Sequence, residues 1–206
     1  MAKTPKNHGT RDIKDWSFDV ANLPPEWLAH LGDITDAARI LIEGDPKNGK
    51  TEYEMQLLRA YCDGGYKVNF NSPEQLKTKG LQQAILRNGL ENFPGKFMIA
   101  EKSQRDFDTW FKRLCKPGSG NVIALDSADY MNLTFAQYKL LHERFPTKTI
   151  IIICWKINPI IKHLKHMQDV IIEVKNFTAK PLSRLGGHND RVIWDKKPKK
   201  LQLELL

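Results

Sequence analysis

The sequence predicts an α/β fold in which a mostly parallel central sheet is flanked by helices. Two observations lead to this prediction. Short runs that are apolar throughout recur along the chain, of which TIIIICW at 149–155 is the densest. Segments with apolar residues at helical spacing lie between these runs. Strands without polar alternation are typical of parallel sheets that are covered on both faces.

The elements follow in order. The predicted strands are the runs 37–44, 66–70, 95–101, 121–127, 149–155, 169–177 and 191–195, the last two on either side of a glycine turn. The clearest predicted helices are 50–62, 105–114 and 135–145. A further helix is expected to begin at Ser72-Pro73-Glu74-Gln75, which has the order of an N-cap, a first-turn proline and a capping-box partner.

These elements make one core at 37–195, preceded by an extension at 1–36 and followed by a basic tail at 196–206. Within the extension, the segment 16–34 is too apolar for a free tail. It therefore packs either on its own core or on a neighbouring subunit.

Composition narrows the class of protein. The 206 residues carry 32 Lys and Arg against 24 Asp and Glu, a formal net charge of +8. This excess fits a nucleic-acid partner and equally an ordinary soluble surface. The three cysteines are widely spaced and odd in number, which argues against a disulfide framework or zinc site and for the cytoplasm. No membrane association is expected, because the run at 149–155 is too short to cross a bilayer.

The segment GDPKNGKT fits the pattern G-x-x-x-x-G-K-[ST], which average residue usage would produce about once in a hundred chains of this length. It follows a predicted strand and opens a predicted helix, as a phosphate-binding loop requires. The alternative is a helix-opening turn with a solvated lysine. As a phosphate-binding loop it predicts that ATP is bound by Gly44, Asp45, Pro46, Lys47, Asn48, Gly49, Lys50 and Thr51.

A magnesium site is expected beside this loop. The Thr51 hydroxyl would contact Mg²⁺, and Lys50 would reach the β- and γ-phosphates. Asp126, at the end of the apolar run NVIAL, supplies the acid that such a site needs. Its alternative role is to cap the element that follows the strand.

Together these motifs resemble the RecA-like P-loop ATPases, especially the ATPase domain of replicative hexameric helicases and small recombinase-like ATPases. The resemblance covers roughly residues 37 to 195 and implies a catalytic glutamate after the second strand, matched here by Glu74. Glu74 would polarise the attacking water, or instead stabilise the first turn of a helix. The resemblance also implies a phosphate sensor after the strand 149–155, where Lys156 follows a tryptophan in place of the usual polar residue.

The same resemblance implies a homo-oligomeric ring or filament in which a basic element reaches the neighbouring subunit's ATP. Lys180 and Arg184 in AKPLSRLGG are the candidates for this element, with Arg184 as a catalytic residue in trans, although their spacing departs from the family pattern. Arg184 could instead be a solvated turn residue.

The resemblance further implies DNA binding by the stretch after the sensor strand. Lys156, Lys162 and Lys165 are the candidate contacts, with a solvated helix face as the alternative. We therefore expect a cytoplasmic ATPase that acts on DNA. A nucleotide-gated interaction protein with slow hydrolysis and a small-molecule kinase are the competing functions. The kinase would need an arginine-rich lid, and the arginines here are scattered.

Overall fold

A computed structural model of the chain describes residues 9–155 and 159–194. Within these ranges the helices are α1 (Thr10–Lys14), α2 (Pro25–Leu31), α3 (Lys50–Asp63), α4 (Lys79–Arg87), α5 (Phe107–Leu114), α6 (Ala128–Met131), α7 (Phe135–Arg144) and α8 (Ile161–Lys165). The strands are β1 (Arg39–Gly44), β2 (Val68–Asn71), β3 (Phe97–Ile99), β4 (Val122–Leu125), β5 (Thr149–Trp155), β6 (Val170–Lys175), β7 (Thr178–Ser183) and β8 (Arg191–Val192). Two 3₁₀ turns, Leu90–Asn92 and Lys102–Gln104, connect them.

The described strands form one sheet in the order β3-β2-β4-β5-β1-β6-β7-β8. The first six in this order pair in parallel, whereas β7 and β8 are antiparallel additions at one edge. The predicted mostly parallel sheet is therefore confirmed.

Alternate residues of the buried strands feed two separate apolar cores, because successive side chains of a strand point to opposite faces. Ile40 and Ile42 of β1 pack with α2, α3 and α4 on one face. Leu41 packs with α5, α7 and α8 on the other. Helices on both faces explain why the strands carry no polar alternation.

The apolar segment near the N-terminus packs on its own core. Trp27, Leu31 and Ile34 are at most 3% exposed and belong to the same cluster as the α3 side chains. Phe18, near the start of the same segment 16–34, is 71% exposed, so the packing involves the later part of the segment.

The helix predicted to begin at Ser72 begins later, so that prediction was wrong. Ser72 and Gln75 form a turn through a 3.1 Å backbone hydrogen bond, and Lys77 adopts a positive φ of 62° that a helix cannot continue through. The helix α4 is instead capped by Thr78, whose side chain accepts from the Leu81 amide at 3.2 Å. Ser72 is fully buried.

Much of the candidate basic element at 179–187 is a β-strand. Residues Thr178–Ser183 form β7, which pairs with β6 through a tight turn in which Asn176 and Phe177 have positive φ angles. The predicted glycine turn between the strands at 169–177 and 191–195 is therefore shorter than expected, and it lies between β7 and β8. Sequence alternation was weak here because Lys180, Pro181 and Ser183 interrupt the apolar pattern.

Candidate nucleotide-binding site

The loop between β1 and α3 has the backbone geometry that its glycines permit. A Cβ atom on Gly44 would lie 2.2 Å from the Val174 carbonyl oxygen, which leaves no room for a side chain. Gly49, the residue before α3, has a φ of 100°, a conformation that glycine adopts without strain. Both glycines of the motif are thus required by the local structure.

Lys50 folds back over this loop. Its ammonium donates to the carbonyl oxygens of Gly44 at 2.8 Å and Asp45 at 2.9 Å. Burial lowers the pKa of Lys50, and nearby carboxylates oppose this shift, Asp126 most strongly. The ammonium therefore lies at the mouth of the loop beside the acidic group of the site.

Thr51 and Asp126, the two predicted magnesium ligands, are in direct contact. The Thr51 hydroxyl donates to Oδ2 of Asp126 at 2.9 Å, and Asp126 follows the last residue of β4. Asp126 is 5% exposed. Burial raises its pKa to about 6, against the opposing hydrogen bond from Thr51. The pair offers one hydroxyl and one carboxylate, oxygen ligands of the kind that Mg²⁺ takes alongside phosphate and water.

Glu74 lines the same cleft from the turn after β2. Its side chain is exposed, and its charge contributes to the raised pKa of Asp126. The cleft has a volume of about 510 Å³ and also includes Lys50, Thr51 and Asp126. The sheet therefore brings together four residues that are separated by up to 76 positions in the sequence.

Several residues of the cleft were missed by sequence reasoning. Trp155 ends β5 and lines the cleft, and its backbone amide donates to Oδ2 of Asp129 at 2.8 Å. Phe177 reaches the cleft from the β6–β7 turn, whose Asn176 amide donates to the Asn48 side chain of the loop at 2.9 Å. The signal available for Trp155 was its place at the end of an apolar run. No sequence signal pointed to Phe177, because its position depends on the β6–β7 turn, which was not predicted.

The outer end of the cleft holds a charged pair that the sequence also did not predict. Arg87, at the end of α4, donates to Glu52 of α3 at 2.6 Å. The Arg87 guanidinium also lies 4.9 Å from the centre of the Trp194 ring. Such a stacked and paired guanidinium holds α4 against the helix that follows the loop.

Glu54 is a further acid next to the site. It lies on α3 one turn after Lys50 and is fully buried, and neither carboxylate oxygen has a hydrogen-bond partner in the described ranges. Burial raises the pKa of Glu54 well above its ordinary value, and the charge of Asp126 raises it further. Ser72 Oγ and Asn71 Oδ1, at the end of β2, are likewise buried without a partner among these residues.

Arg184 lies far from the loop of its own chain, and Lys180, although level with Glu43, does not line the cleft. Because Val170 pairs with Ser183, Arg184 comes level with the start of β1, about 17 Å along the strand from Gly44. Arg184 is exposed, and its guanidinium donates to the His166 carbonyl at 3.3 Å. Lys180 is paired with Asp190 at 3.6 Å. Neither residue is brought into the cleft of its own chain.

The candidate nucleic-acid contacts differ in their surroundings. Lys162 is exposed on α8. Lys165 is 2.7 Å from Oε1 of Glu43, a side chain that is only 6% exposed. Lys156 lies outside the described residues, so its predicted sensor and nucleic-acid roles stay predictions. Over 9–155 and 159–194, no three His, Cys, Asp or Glu side chains form a ready metal cluster.

No helix within the described ranges has both the length and the apolar character needed to cross a bilayer.

Comparison with known proteins shows the fold. No protein-family model and no curated protein sequence matches the chain. Among solved structures, the chain is similar to the flagellar accessory protein FlaH from Methanocaldococcus jannaschii, with a TM-score of 0.61 and 15% identity over 83% of this chain and 91% of that one. It is similar to the KaiC-like protein PH0186 from Pyrococcus horikoshii OT3, with a TM-score of 0.61 and 16% identity over 84% and 93% of the two chains. These likenesses show that the chain shares the α/β fold of these two proteins, with a mostly parallel central sheet flanked by helices.

Proposed function

We propose that the protein binds ATP with Mg²⁺ and hydrolyses it, as an oligomeric RecA-like ATPase that acts on DNA. The observation that carries the proposal is the single cleft lined by Lys50, Thr51, Glu74 and Asp126. These residues reach the cleft from the loop, α3 and the ends of two neighbouring parallel strands. Ligands of open α/β sheets bind at this carboxyl end of the strands.

Each side chain has a distinct task in this proposal. Lys50 exchanges its contacts with the Gly44 and Asp45 carbonyls for phosphate oxygens. Thr51 and Asp126 would hold Mg²⁺, which when bound offsets the charge that develops on the phosphates. Glu74 orients the attacking water and accepts its proton as the water oxygen bonds to the terminal phosphorus, while the bond from that phosphorus to the bridging oxygen breaks and ADP leaves. The exposure of Glu74 leaves it accessible to water from the cleft mouth.

The oligomer and the DNA partner are inferred from the position of Arg184 and from surface charge. Arg184 lies far from its own loop and is exposed, so a catalytic role for it requires a neighbouring subunit. The resemblance to replicative helicases and recombinases suggests such an assembly, and the exposed Lys162 together with the net charge of +8 favours an anionic partner.

A second candidate is a nucleotide-gated interaction protein with slow hydrolysis. The observation in its favour is Trp155, which is 40% exposed and lines the cleft at the end of β5, where the resembled family has a polar sensor. The indole of a tryptophan has one N–H donor and no acceptor, so it cannot also accept a hydrogen bond from a water as a polar side chain with both groups can. Nucleotide would then bind tightly but turn over slowly.

The test separates binding from hydrolysis. Lys50→Ala and Thr51→Ala should each weaken the binding of Mg²⁺-ATP in isothermal titration by about tenfold or more, since each removes a charged or metal contact. Glu74→Gln should bind with unchanged affinity and lower the hydrolysis rate by about a hundredfold or more. Glu101→Gln, at an exposed position outside this cleft, is the matched control.

The outcomes discriminate between the candidates. Unchanged ATP affinity in both loop variants would refute the phosphate-binding loop. Normal turnover in Glu74→Gln would exclude Glu74 as the base. Slow turnover in the unaltered protein that no DNA stimulates, with tight ATP binding, would favour the nucleotide-gated alternative.

A further inference from the structure

A second cleft, here called the basic cleft, lies at the opposite edge of the sheet from the cleft lined by Lys50, Thr51, Glu74 and Asp126, which is called the ATP cleft after its proposed ligand. It has a volume of about 590 Å³. Lys67, Asn121 and Lys148 line it, and these residues directly precede β2, β4 and β5. Since these strands are parallel, their amino ends meet at one edge. The seven residues of β5 separate this edge from the ATP cleft by about 23 Å.

The lining of the basic cleft has only one sign of charge. It includes Lys67, Lys116, Arg144 and Lys148 and no aspartate or glutamate. None of these four cations forms an ion pair with the described residues. A cleft lined by four cations and by no carboxylate is a local positive field, because charges of one sign in a cleft reinforce each other.

The repulsion within this group is visible at Lys148. Burial lowers the pKa of Lys148, and Arg144 contributes to the same shift. The Lys148 ammonium and the Arg144 guanidinium lie on the same ring, at 4.9 Å and 6.0 Å from the centre of Phe145. An anion bound between these cations would relieve this repulsion.

A glycine loop holds Lys148 in place. The loop at 116–121 reads KPGSGN, with positive φ angles at Gly118 and Gly120. A Cβ atom on Gly120 would lie 2.7 Å from the Lys67 carbonyl oxygen, so the close approach of the loop to β2 needs glycine. Ser119 is 3% exposed, and its hydroxyl accepts from the Lys148 ammonium at 2.7 Å. The cation at the floor of the cleft is therefore fixed by a buried polar side chain.

The loop also provides backbone donors. The amides of Gly118, Ser119 and Gly120 make no hydrogen bond with the described residues. Free amides in a glycine loop beside cations are a common setting for phosphate oxygens.

We propose that the basic cleft binds the phosphodiester backbone of a nucleic acid. The cations come from three separate segments, namely the residue before β2, the glycine loop, and the end of α7 with its connection to β5, and Lys67, Lys116 and Arg144 are exposed along the opening. This arrangement matches a polymer that carries a charge every few ångströms better than it matches one small anion. The aromatic side chain of the lining, Phe145, is buried and is unavailable for stacking on a base.

Binding in this cleft is therefore sequence-independent. The site is distinct from α8, on which the proposed function places its DNA contacts, and the proposal does not depend on ATP hydrolysis. Because the cleft is at the far edge of the sheet, DNA and ATP can occupy the protein together.

The experiment compares two charge reversals in the full chain by fluorescence anisotropy with labelled single-stranded and duplex DNA. Lys116→Glu/Arg144→Glu changes two exposed cations of the cleft. Lys112→Glu/Lys139→Glu changes the net charge equally at exposed positions on α5 and α7 that do not line it. The cleft variant should lose affinity by about tenfold or more at low salt and lower the slope of log K against log salt by about two, whereas the control stays within about twofold.

Further measurements test whether a loss of DNA affinity comes from misfolding or from contacts outside the basic cleft. ATP affinity and thermal melting should match the unaltered protein, and the milder Lys116→Ala/Arg144→Ala should show the same trend in DNA affinity. Lys162→Glu reports on α8 independently. Equal losses in the cleft and control variants, or no DNA binding by the unaltered protein at low salt, would overturn the proposal. So would competition by inorganic phosphate at concentrations comparable with DNA phosphate, which would indicate a site for a single anion.

Discussion

Asp126 is nearly excluded from solvent at the end of β4, and this position decides the pH range in which it can serve a metal. Burial raises its pKa to about 6, so the carboxyl is protonated below that value and holds Mg²⁺ poorly. We predict that the affinity for Mg²⁺-ATP falls as the pH is lowered through about 6, by up to about tenfold per pH unit. Isothermal titration at a series of pH values measures this.

The control for this prediction is Asp126→Asn. It should bind Mg²⁺-ATP more weakly at every pH, and its affinity should lose the step near pH 6. If the variant keeps the same pH profile as the unaltered protein, another group is responsible for it.

Glu54 costs stability at neutral pH because it is buried without a partner among the described residues. Burial raises its pKa, so the folded state holds a proton that the unfolded chain releases above about pH 4.5. Its contribution to the free energy of unfolding is therefore largest at low pH and is lost as the pH rises.

We predict that Glu54→Met, an apolar replacement of similar length, raises the free energy of unfolding by about 1–3 kcal/mol at pH 8 and by less at pH 5. Urea unfolding at the two pH values checks this. Glu91→Met, at an exposed position, should leave the stability nearly unchanged. Destabilisation by Glu54→Met at both pH values would mean that the carboxyl has an interaction that the structure does not show.

At the scale of elements, the sequence predicted the buried strands and the loop after β1, because neighbouring residues in the chain determine both. The apolar runs identified β1, β2, β4 and β5 because those strands are buried on both faces. Nearly every residue in such a strand is apolar, so the run stands out in the sequence. The loop between β1 and α3 was predicted equally well, since its two glycines and Lys50 lie within one short stretch of the sequence. Asp126 and Glu74 could be proposed because both follow such strands.

Features that depend on tertiary contact could not be predicted. Ser72 had a good capping sequence, but it is buried in the turn after β2, and Thr78 begins the helix instead. Strand β7 has a mixed pattern because it is an antiparallel addition with one partly exposed face. Glu54 and Phe177 reach the site only through the packing of α3 and the β6–β7 turn.

At the scale of the whole molecule, the parallel sheet separates two edges with different chemistry. The carboxyl ends of the strands carry the acids and the loop of the ATP cleft, and the amino ends of β2, β4 and β5 carry the basic cleft. The antiparallel β7 runs between these edges and brings Arg184 to the amino edge, away from its own ATP cleft. If Arg184 is catalytic, its partner must be the ATP cleft of another copy.

This geometry predicts complementation between inactive variants. Arg184→Ala should hydrolyse ATP at least about tenfold more slowly than the unaltered protein, and so should Glu74→Gln. In an equal mixture, roughly a quarter of the interfaces pair an intact Glu74 with an intact Arg184 on the neighbour. Activity should therefore recover to about that fraction, as measured by phosphate release with particle mass followed by light scattering. Arg105→Ala, which alters another exposed arginine, should be active alone. A mixture that co-assembles without recovering activity would exclude Arg184 as a residue that acts across an interface. A protein that stays monomeric with ATP and DNA would exclude the oligomer itself.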